Sequence, residues 1–277
     1  MTEFLEVEGG RIAYDVAGEG PLVVASHGMG DRRTAYRFLA PLLVGAGCRV
    51  ASADLRGSGE SSVGFASYTR TDTAADLLAL IRHLGGPAVV IGHSFAGGAA
   101  TIAAADAPAL ISAVVEIGPF TRVPKPSVRG LALARYRTGT TRLLLTALFG
   151  SVGQWKRYLD IAYPGVRPVD YDAHIASLAG NLAEPGRMAA LRRMCLAAPK
   201  DAAAKLASVG CPALIVMGTD DPDWVDPRAE AEAIVAALPA GLGTVAMIDG
   251  AGHYPHAQSP DAVAAAVLPF LEEHAGA

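Results

Sequence analysis

An α/β fold, with a mostly parallel sheet, helices on both faces and an all-helical insertion, is the architecture this sequence predicts. Three observations predict it. Short β-type runs alternate with longer helical patterns from Phe4 to Ile117, the alternation stops after Pro119, and it resumes at Pro212. Parallel strands joined by crossover helices produce this rhythm. A chain of 277 residues suits one α/β core carrying a moderate insertion, and 51 % hydrophobic residues suffice for a large core. Aromatic residues are only 6 %, so Ala, Val and Leu must do most of the packing. Charged residues, at 18 %, are too few for a disordered chain.

The elements follow in order. Phe4–Val7 and Arg11–Val16 read as paired strands turning at Gly9-Gly10, and Leu22–Ser26 is a short apolar strand ending at His27-Gly28. Thr34–Gly45 has helical spacing through Phe38, Leu39, Leu42 and Leu43. Arg49–Ala53 is a strand ending at Asp54, and Thr71–Leu84 is an amphipathic helix. A buried strand, Ala88–Ile91, leads into a small-residue helix, Phe95–Ala105, and Ala113–Ile117 is the next strand. Residues 121–199 contain no convincing strand and read as helices broken at Pro124, Pro126, Gly139, Gly150, Pro164, Pro168 and Pro185. The α/β rhythm returns with the strand Ala213–Met217, a helix near Pro227–Leu238, the strand Thr244–Ile248 and a last helix, Pro260–Glu273. The division is therefore a core of residues 1–120 and 200–277 with an inserted segment of residues 121–199.

Charge and composition exclude several function classes. The formal net charge is −4 with no basic run, so nucleic-acid binding has no electrostatic footprint. Cys48, Cys195 and Cys211 are odd in number and match no metal-ligand spacing, and no Cys/His/carboxylate cluster has one either. Cys48 and Cys211 open apolar runs and read as small buried hydrophobes. The acidic N-terminus lacks the basic and apolar regions of a secretory signal, and the most apolar stretch, Leu143–Phe149, is too short to span a bilayer. A soluble cytoplasmic enzyme is the default expectation, and abundant Ala and Arg with few Lys fit a high-GC bacterial coding bias. Nothing in the pattern fixes oligomeric state, and a homo-oligomer stays open.

Four short motifs carry the chemistry. Val89-Val90-Ile91-Gly92-His93-Ser94-Phe95-Ala96-Gly97-Gly98 runs a buried strand through a sharp turn at Ser94 directly into a helix. Such an elbow lifts a serine hydroxyl out of the sheet, and residues two before and two after must be small because strand and helix nearly touch. Gly92 and Ala96 satisfy this, Ala96 exceeding the commoner Gly by one methyl. Ser26-His27-Gly28-Met29-Gly30 follows an earlier strand, and the Met29 and Phe95 N–H groups would together form an oxyanion hole. Gly218-Thr219-Asp220-Asp221-Pro222-Asp223 closes a late strand and offers three competing carboxylates; Asp220 and Asp223 read as turn or capping residues. Gly250-Ala251-Gly252-His253-Tyr254-Pro255-His256 follows the last strand, and small residues ahead of His253 let that loop lie over the strand ends, with His256 as its rival. All four motifs lie at C-terminal strand ends, where α/β sheets place their sites.

With these motifs the chain resembles the α/β-hydrolase superfamily, serine-nucleophile branch, over nearly its whole length. The resemblance rests on His27-Gly28, Asp54-Leu55-Arg56-Gly57-Ser58-Gly59-Glu60-Ser61, the Ser94 elbow, Gly218-x-x-Asp221 and Gly252-His253, in the order Ser…Asp…His. It implies an eight-stranded core sheet with a helical cap inserted after the sixth strand. It also selects Asp221, three residues after Gly218, as the acid, and gives Asp54 and Arg56 a loop-tying role. Some relatives supply the acid from the end of the sixth strand, where Glu116 stands here. Haloalkane dehalogenases and epoxide hydrolases are similar but carry Asp at the elbow, whereas position 94 is Ser.

The expected function is hydrolysis of an ester or lactone of a small, largely apolar substrate through an acyl-enzyme. Ser94 attacks, His253 is the base with an ordinary imidazole ionisation of about 6 to 7, and Asp221 orients it. Cofactor-free perhydrolysis and carbon–carbon bond hydrolysis are the alternatives, and a slow-turnover ligand receptor or signalling protein is the alternative of a different class. No metal, nucleotide or flavin is implied. Leu144, Leu148, Phe149, Trp155 and Trp224 are the expected substrate-binding residues, drawn from an apolar set that also includes Leu143, Leu145 and Tyr158. The basic run of Arg129, Arg135, Arg137 and Arg142 reads as a solvated face.

Overall fold

The computed structural model describes residues 1–275 except Pro126, so the helix break expected at Pro126 lies outside the described residues. Eight strands form one sheet: β1 (Glu3–Val7), β2 (Gly10–Ala17), β3 (Leu22–Ser26), β4 (Arg49–Ala53), β5 (Ala88–His93), β6 (Ile111–Ile117), β7 (Ala213–Gly218) and β8 (Gly243–Ile248). Their order across the sheet is β1-β2-β4-β3-β5-β6-β7-β8. Only β2 runs against its neighbours β1 and β4; every other pairing is parallel.

The central strands are buried on both faces, and alternate side chains enter different cores. Val23, Val89, Ile91 and Val115 pack beneath α1 (Leu39–Gly45) and α11 (Pro260–His274). Val24, Val90, Val114 and Ile215 pack on the other face, against α2 (Arg70–Leu84), α3 (Phe95–Asp106) and α9 (Pro227–Val235). The Ala- and Gly-rich α3 is completely buried through Ala104, which a helix of larger residues could not be at that distance from the sheet.

One expected helix is two elements. Thr34–Gly45 divides into a 3₁₀ turn, Arg33–Tyr36, and α1. A continuous helix would place Pro41 in its interior, where it lacks an N–H and clashes with the preceding turn; starting at Leu39 puts Pro41 in the first turn, where it is tolerated. The 3₁₀ turn is pinned separately. Tyr36 donates its hydroxyl to the Ser26 carbonyl at 2.8 Å, and Arg33 reaches Asp54, Asp15 and Glu60.

Between β6 and β7 the described elements are all helical: a 3₁₀ turn at Gly130–Ala132, then α4 (Ala134–Phe149), α5 (Val152–Ala162), α6 (Tyr171–Ala183), α7 (Arg187–Leu196), the short α8 (Lys200–Ala203) and a second 3₁₀ turn, Leu206–Ser208. Trp155, Tyr158, Leu159, Ile175 and Leu178 build a separate small core here, closed by Tyr254. Tyr254 precedes α10 (Pro255–Gln258) and stacks on Tyr163 with centroids 4.5 Å apart, so the helical segment is docked onto the loop after β8. Two buried ties hold the loop after β4. Arg56 makes two 2.8 Å hydrogen bonds to Asp76, and Asp54 accepts from Arg33 and from the Glu60 N–H.

Candidate active site

Ser94 stands between β5 and α3 with φ 54° and ψ −112°, the sole non-glycine residue with positive φ among the described residues. A residue with a Cβ is strained there. The backbone on both sides holds it: the Ser94 N–H donates to the Ile117 carbonyl at 2.8 Å, and its carbonyl accepts from Gly97 and Phe120, both at 3.1 Å. Gly92 is required by the close approach of strand and helix, since a Cβ there would fall 2.4 Å from the Ala96 carbonyl oxygen. The hydroxyl does not cap α3, although serine commonly does so at this position; it faces a cavity instead.

His253 and Asp221 approach from the far strands. The loop after β8 is anchored by the His253 N–H, which donates to the Ala162 carbonyl at 2.9 Å. Nδ1 of His253 lies 2.8 Å from Oδ2 of Asp221. A carboxylate only accepts, so Nδ1 carries a proton, and in the neutral imidazole the lone pair is on Nε2. The imidazole lies against the turn after β6, 3.2 Å from where a Cβ of Gly118 would sit, and that turn is the one that receives the Ser94 N–H. The sheet thus brings Ser94, Asp221 and His253 to one edge, although 127 residues separate Ser94 from Asp221 in sequence.

A second carboxylate shares the imidazole. Asp223 was expected as a turn or capping residue, but it is buried, with Oδ2 3.4 Å from His253 Nδ1, and it accepts a 2.7 Å hydrogen bond from the Tyr158 hydroxyl of α5. Its N–H in turn donates to Asp221 Oδ1 at 2.9 Å. The tight turn through Pro222 folds both carboxylates under one ring, which spacing alone did not reveal. Burial pushes the His253 pKa down, but the charges of Asp221 and Asp223 outweigh it and hold the imidazole above the ordinary histidine value. Burial beside Asp221 pushes Asp223 up, against the pull of His253 and the Tyr158 hydrogen bond. The expected ordinary imidazole ionisation is therefore corrected upward. Asp220 is exposed. Glu116 is buried on the α3 side, bonded to the Thr101 hydroxyl rather than to His253, and burial pushes it up to about 8. Asp221, Asp223 and His253 are also the one compact group of metal-capable donors among the described residues, a cluster sequence spacing did not suggest. Their chemistry suits a proton better than a cation, because the Nδ1 facing both carboxylates is engaged with Asp221.

The candidate oxyanion turn lies across Ser94. A Cβ at Gly28 would come 2.8 Å from the Ser94 Cβ, so only glycine lets this loop pass. Met29 and Phe95 both line the cavity with Ser94. His93 organises the surroundings: its Nδ1 accepts from the Gly28 N–H at 3.2 Å, and its Nε2 donates to the His253 carbonyl at 2.9 Å. One buried ring, held neutral by desolvation and neighbouring histidines, spans the oxyanion turn and the histidine loop. Its place in the Gly-His-Ser motif was the available signal. His256 is buried against Tyr36 and His93 and is far down in pKa through burial, to about 3, so it is not the partner of Asp221.

The cavity at Ser94 has a volume of about 400 Å³ and is walled by Leu143, Leu144 and Ala147 of α4 and by Leu196, with Phe120 beside Ser94. Of the expected binding residues, Leu144 lies in it. Leu148 and Phe149 are 54 % and 70 % exposed on the outer face of α4, because the inward face follows Tyr136, Gly139, Leu143 and Ala147. Trp155 is packed under Tyr158 and donates to the Gly30 carbonyl at 3.1 Å, a docking contact of α5 with the core. Trp224 packs behind Phe120, with centroids 4.9 Å apart and the rings tilted, and does not line the cavity. A larger recess of about 560 Å³, beside β2 and α1, contains none of these residues. Arg70 also lines the Ser94 cavity and was not foreseen.

Sheet order, helices on both faces and a serine elbow over the strand ends define an α/β-hydrolase fold. The chain belongs to the alpha/beta hydrolase family, whose sequence profile matches residues 22–266. It is 29 % identical over 276 residues to 2-(acetamidomethylene)succinate hydrolase of Mesorhizobium japonicum, covering 96 % of this chain and 94 % of that protein. Among solved structures it is similar to a putative lipase from Acinetobacter baumannii, with TM-score 0.80 and 20 % identity over 99 % of this chain and 91 % of the other. An esterase from Exiguobacterium antarcticum gives TM-score 0.80 and 19 % identity over 98 % and 100 %. No helix among the described residues is long and apolar enough to cross a membrane.

Proposed function

We propose that this hydrolase cleaves an ester or lactone of a small substrate with an apolar body, through an acyl-enzyme on Ser94. The observation that carries the reading is the 2.8 Å contact of His253 Nδ1 with buried Asp221, at the sheet edge where Ser94 is held at positive φ. His253 Nε2 takes the Ser94 proton as Oγ attacks the carbonyl carbon. The Met29 and Phe95 N–H groups receive the developing oxyanion. The imidazolium gives its proton to the leaving alcohol, and water then repeats the sequence to release the acid. Residues 121–199 act as a cap on a core of residues 1–120 and 200–277, and the cap roofs the acyl pocket.

Turnover tests the reading. Short- to medium-chain p-nitrophenyl esters and lactones are followed past the first equivalent of product. At least one should turn over repeatedly at about 1 s⁻¹ or faster, and Ser94→Ala should lower kcat by about 10³-fold or more with the fold intact. A single-equivalent burst that stalls on every substrate would point to a receptor on this fold, and near wild-type turnover by Ser94→Ala would end the acyl-enzyme reading.

A further inference from the structure

The cavity beside Ser94 is lined mostly by apolar side chains, and Arg70 is the single charged residue in its lining. Arg70 is 4 % exposed, yet it lines this cavity. Its guanidinium carbon lies 4.3 Å from the centre of the Phe95 ring, the residue next to Ser94. One Nη1–H donates to the Ala197 carbonyl at 2.7 Å, and Nε is buried without a partner. No carboxylate forms an ion pair with Arg70 among the described residues; Asp201, the acid that influences it, is engaged by the Thr71 N–H and hydroxyl. Burial lowers its pKa to about 10, so the group remains charged at neutral pH.

The position does not serve the helix. Arg70 is the first residue of α2, where a cation opposes the helix dipole, and the helix start is already satisfied by the Thr69–Asp72 capping box. Arg56 shows the contrast: it is similarly buried, but it is neutralised by two hydrogen bonds to Asp76. A buried guanidinium without a counter-ion is costly, and its planar fork matches a carboxylate.

Resting on the reading of Ser94 as nucleophile, we propose that Arg70 binds a carboxylate on the acyl part of the substrate, making the preferred substrate class half-esters of small dicarboxylic acids or their lactone equivalents. The apolar wall formed by Leu143, Leu144 and Phe120 holds the intervening methylenes.

The test compares monomethyl succinate, glutarate and adipate with neutral methyl esters of matched shape, in which an isopropyl group replaces the carboxylate. In the wild type, kcat/KM for one half-ester should exceed that of its neutral match by about tenfold or more, the scale of a charge-assisted pair. Arg70→Met should abolish that preference through KM, bringing the half-ester down to its neutral match within the same variant. If Arg70→Met fails to fold, Arg70→Gln keeps a donor for the Ala197 carbonyl and removes the charge. Calorimetric binding of the same half-esters to Ser94→Ala reads the contact without chemistry. Tight binding there that is lost in Ser94→Ala/Arg70→Gln supports the proposal even if no ester turns over, an outcome that would sink only the hydrolytic reading. Equal binding and turnover of charged and neutral esters, or an equal loss of both on substitution, would overturn it and leave Arg70 as a packing residue.

Discussion

The floor and the roof of the Ser94 cavity are built by different rules. The floor comes from strand ends: Ser94 and Phe95 line it, Asp221 and His253 lie outside the lining at the same end of the sheet, all four are at most 3 % exposed, and hydrogen bonds fix backbone or side chain at each polar position. The roof comes from α4 and the end of α7, where Leu144 is 55 % and Leu196 66 % exposed, and where Arg192 ties the two helices through the Ala147 and Leu148 carbonyls and not through the wall side chains. Preorganised dipoles act on the transition state, whereas loosely packed apolar walls act on binding. Changes in the floor should therefore appear in kcat, and changes in the roof in KM.

The largest expected effect beyond the nucleophile is at Asp221. Asp221→Asn leaves His253 in the wrong tautomer and should lower kcat by about 10²- to 10⁴-fold. Glu116→Gln, whose partner is Thr101, should change it less than about threefold. Steady-state kinetics on folded variants decides this, and the reverse ranking would move the acid to β6.

A subtler difference separates the two carboxylates beneath His253. With its pKa raised by both, the imidazole gains its proton, and activity falls, at a higher pH than for an ordinary histidine. Asp223→Asn removes one charge that favours the imidazolium, so the acid limb of kcat/KM should move to lower pH, while Asp220→Asn should leave it in place. Tyr158→Phe should move it the same way, because losing that hydrogen bond makes Asp223 easier to protonate. A limb unmoved in Asp223→Asn would show that Asp223 is electrostatically silent.

The smallest effect lies in the roof. Leu144→Ala should raise KM for a medium-chain ester by a few-fold with kcat nearly unchanged, while Leu148→Ala, facing outward, should change neither. Equal effects of the two would contradict the wall assigned to α4.

This division also explains what the sequence could reveal. Strand runs such as Val89–Ile91 and punctuation such as Gly92 are local, and parallel topology carries strand ends to one edge, so Ser94 and His253 could be selected with the Gly218–Asp223 turn, while the choice of Asp221 within that turn came from the family resemblance. The second contact of His253 could not, because it depends on how the Pro222 turn folds Asp223 back and on Tyr158 arriving from α5. Roof positions were misplaced for a similar reason. Apolar residues run continuously from Leu143 to Leu145, and only docking decides that Leu144 faces the cavity while Leu148, Phe149 and Trp155 serve elsewhere. Arg70 was hidden in plain composition; a cation opening a well-capped helix was the single local irregularity that marked it.

Covalent capture at Ser94 tests the central claim most directly. A fluorophosphonate ester is a carbonyl analogue that reacts only with a serine activated by a neighbouring base and faced by an oxyanion site. The account predicts one equivalent of label by intact mass, mapped to the peptide containing Ser94, absent in Ser94→Ala and greatly slowed in His253→Ala. Stoichiometric label on another residue, or no label on a folded wild-type protein, would contradict it.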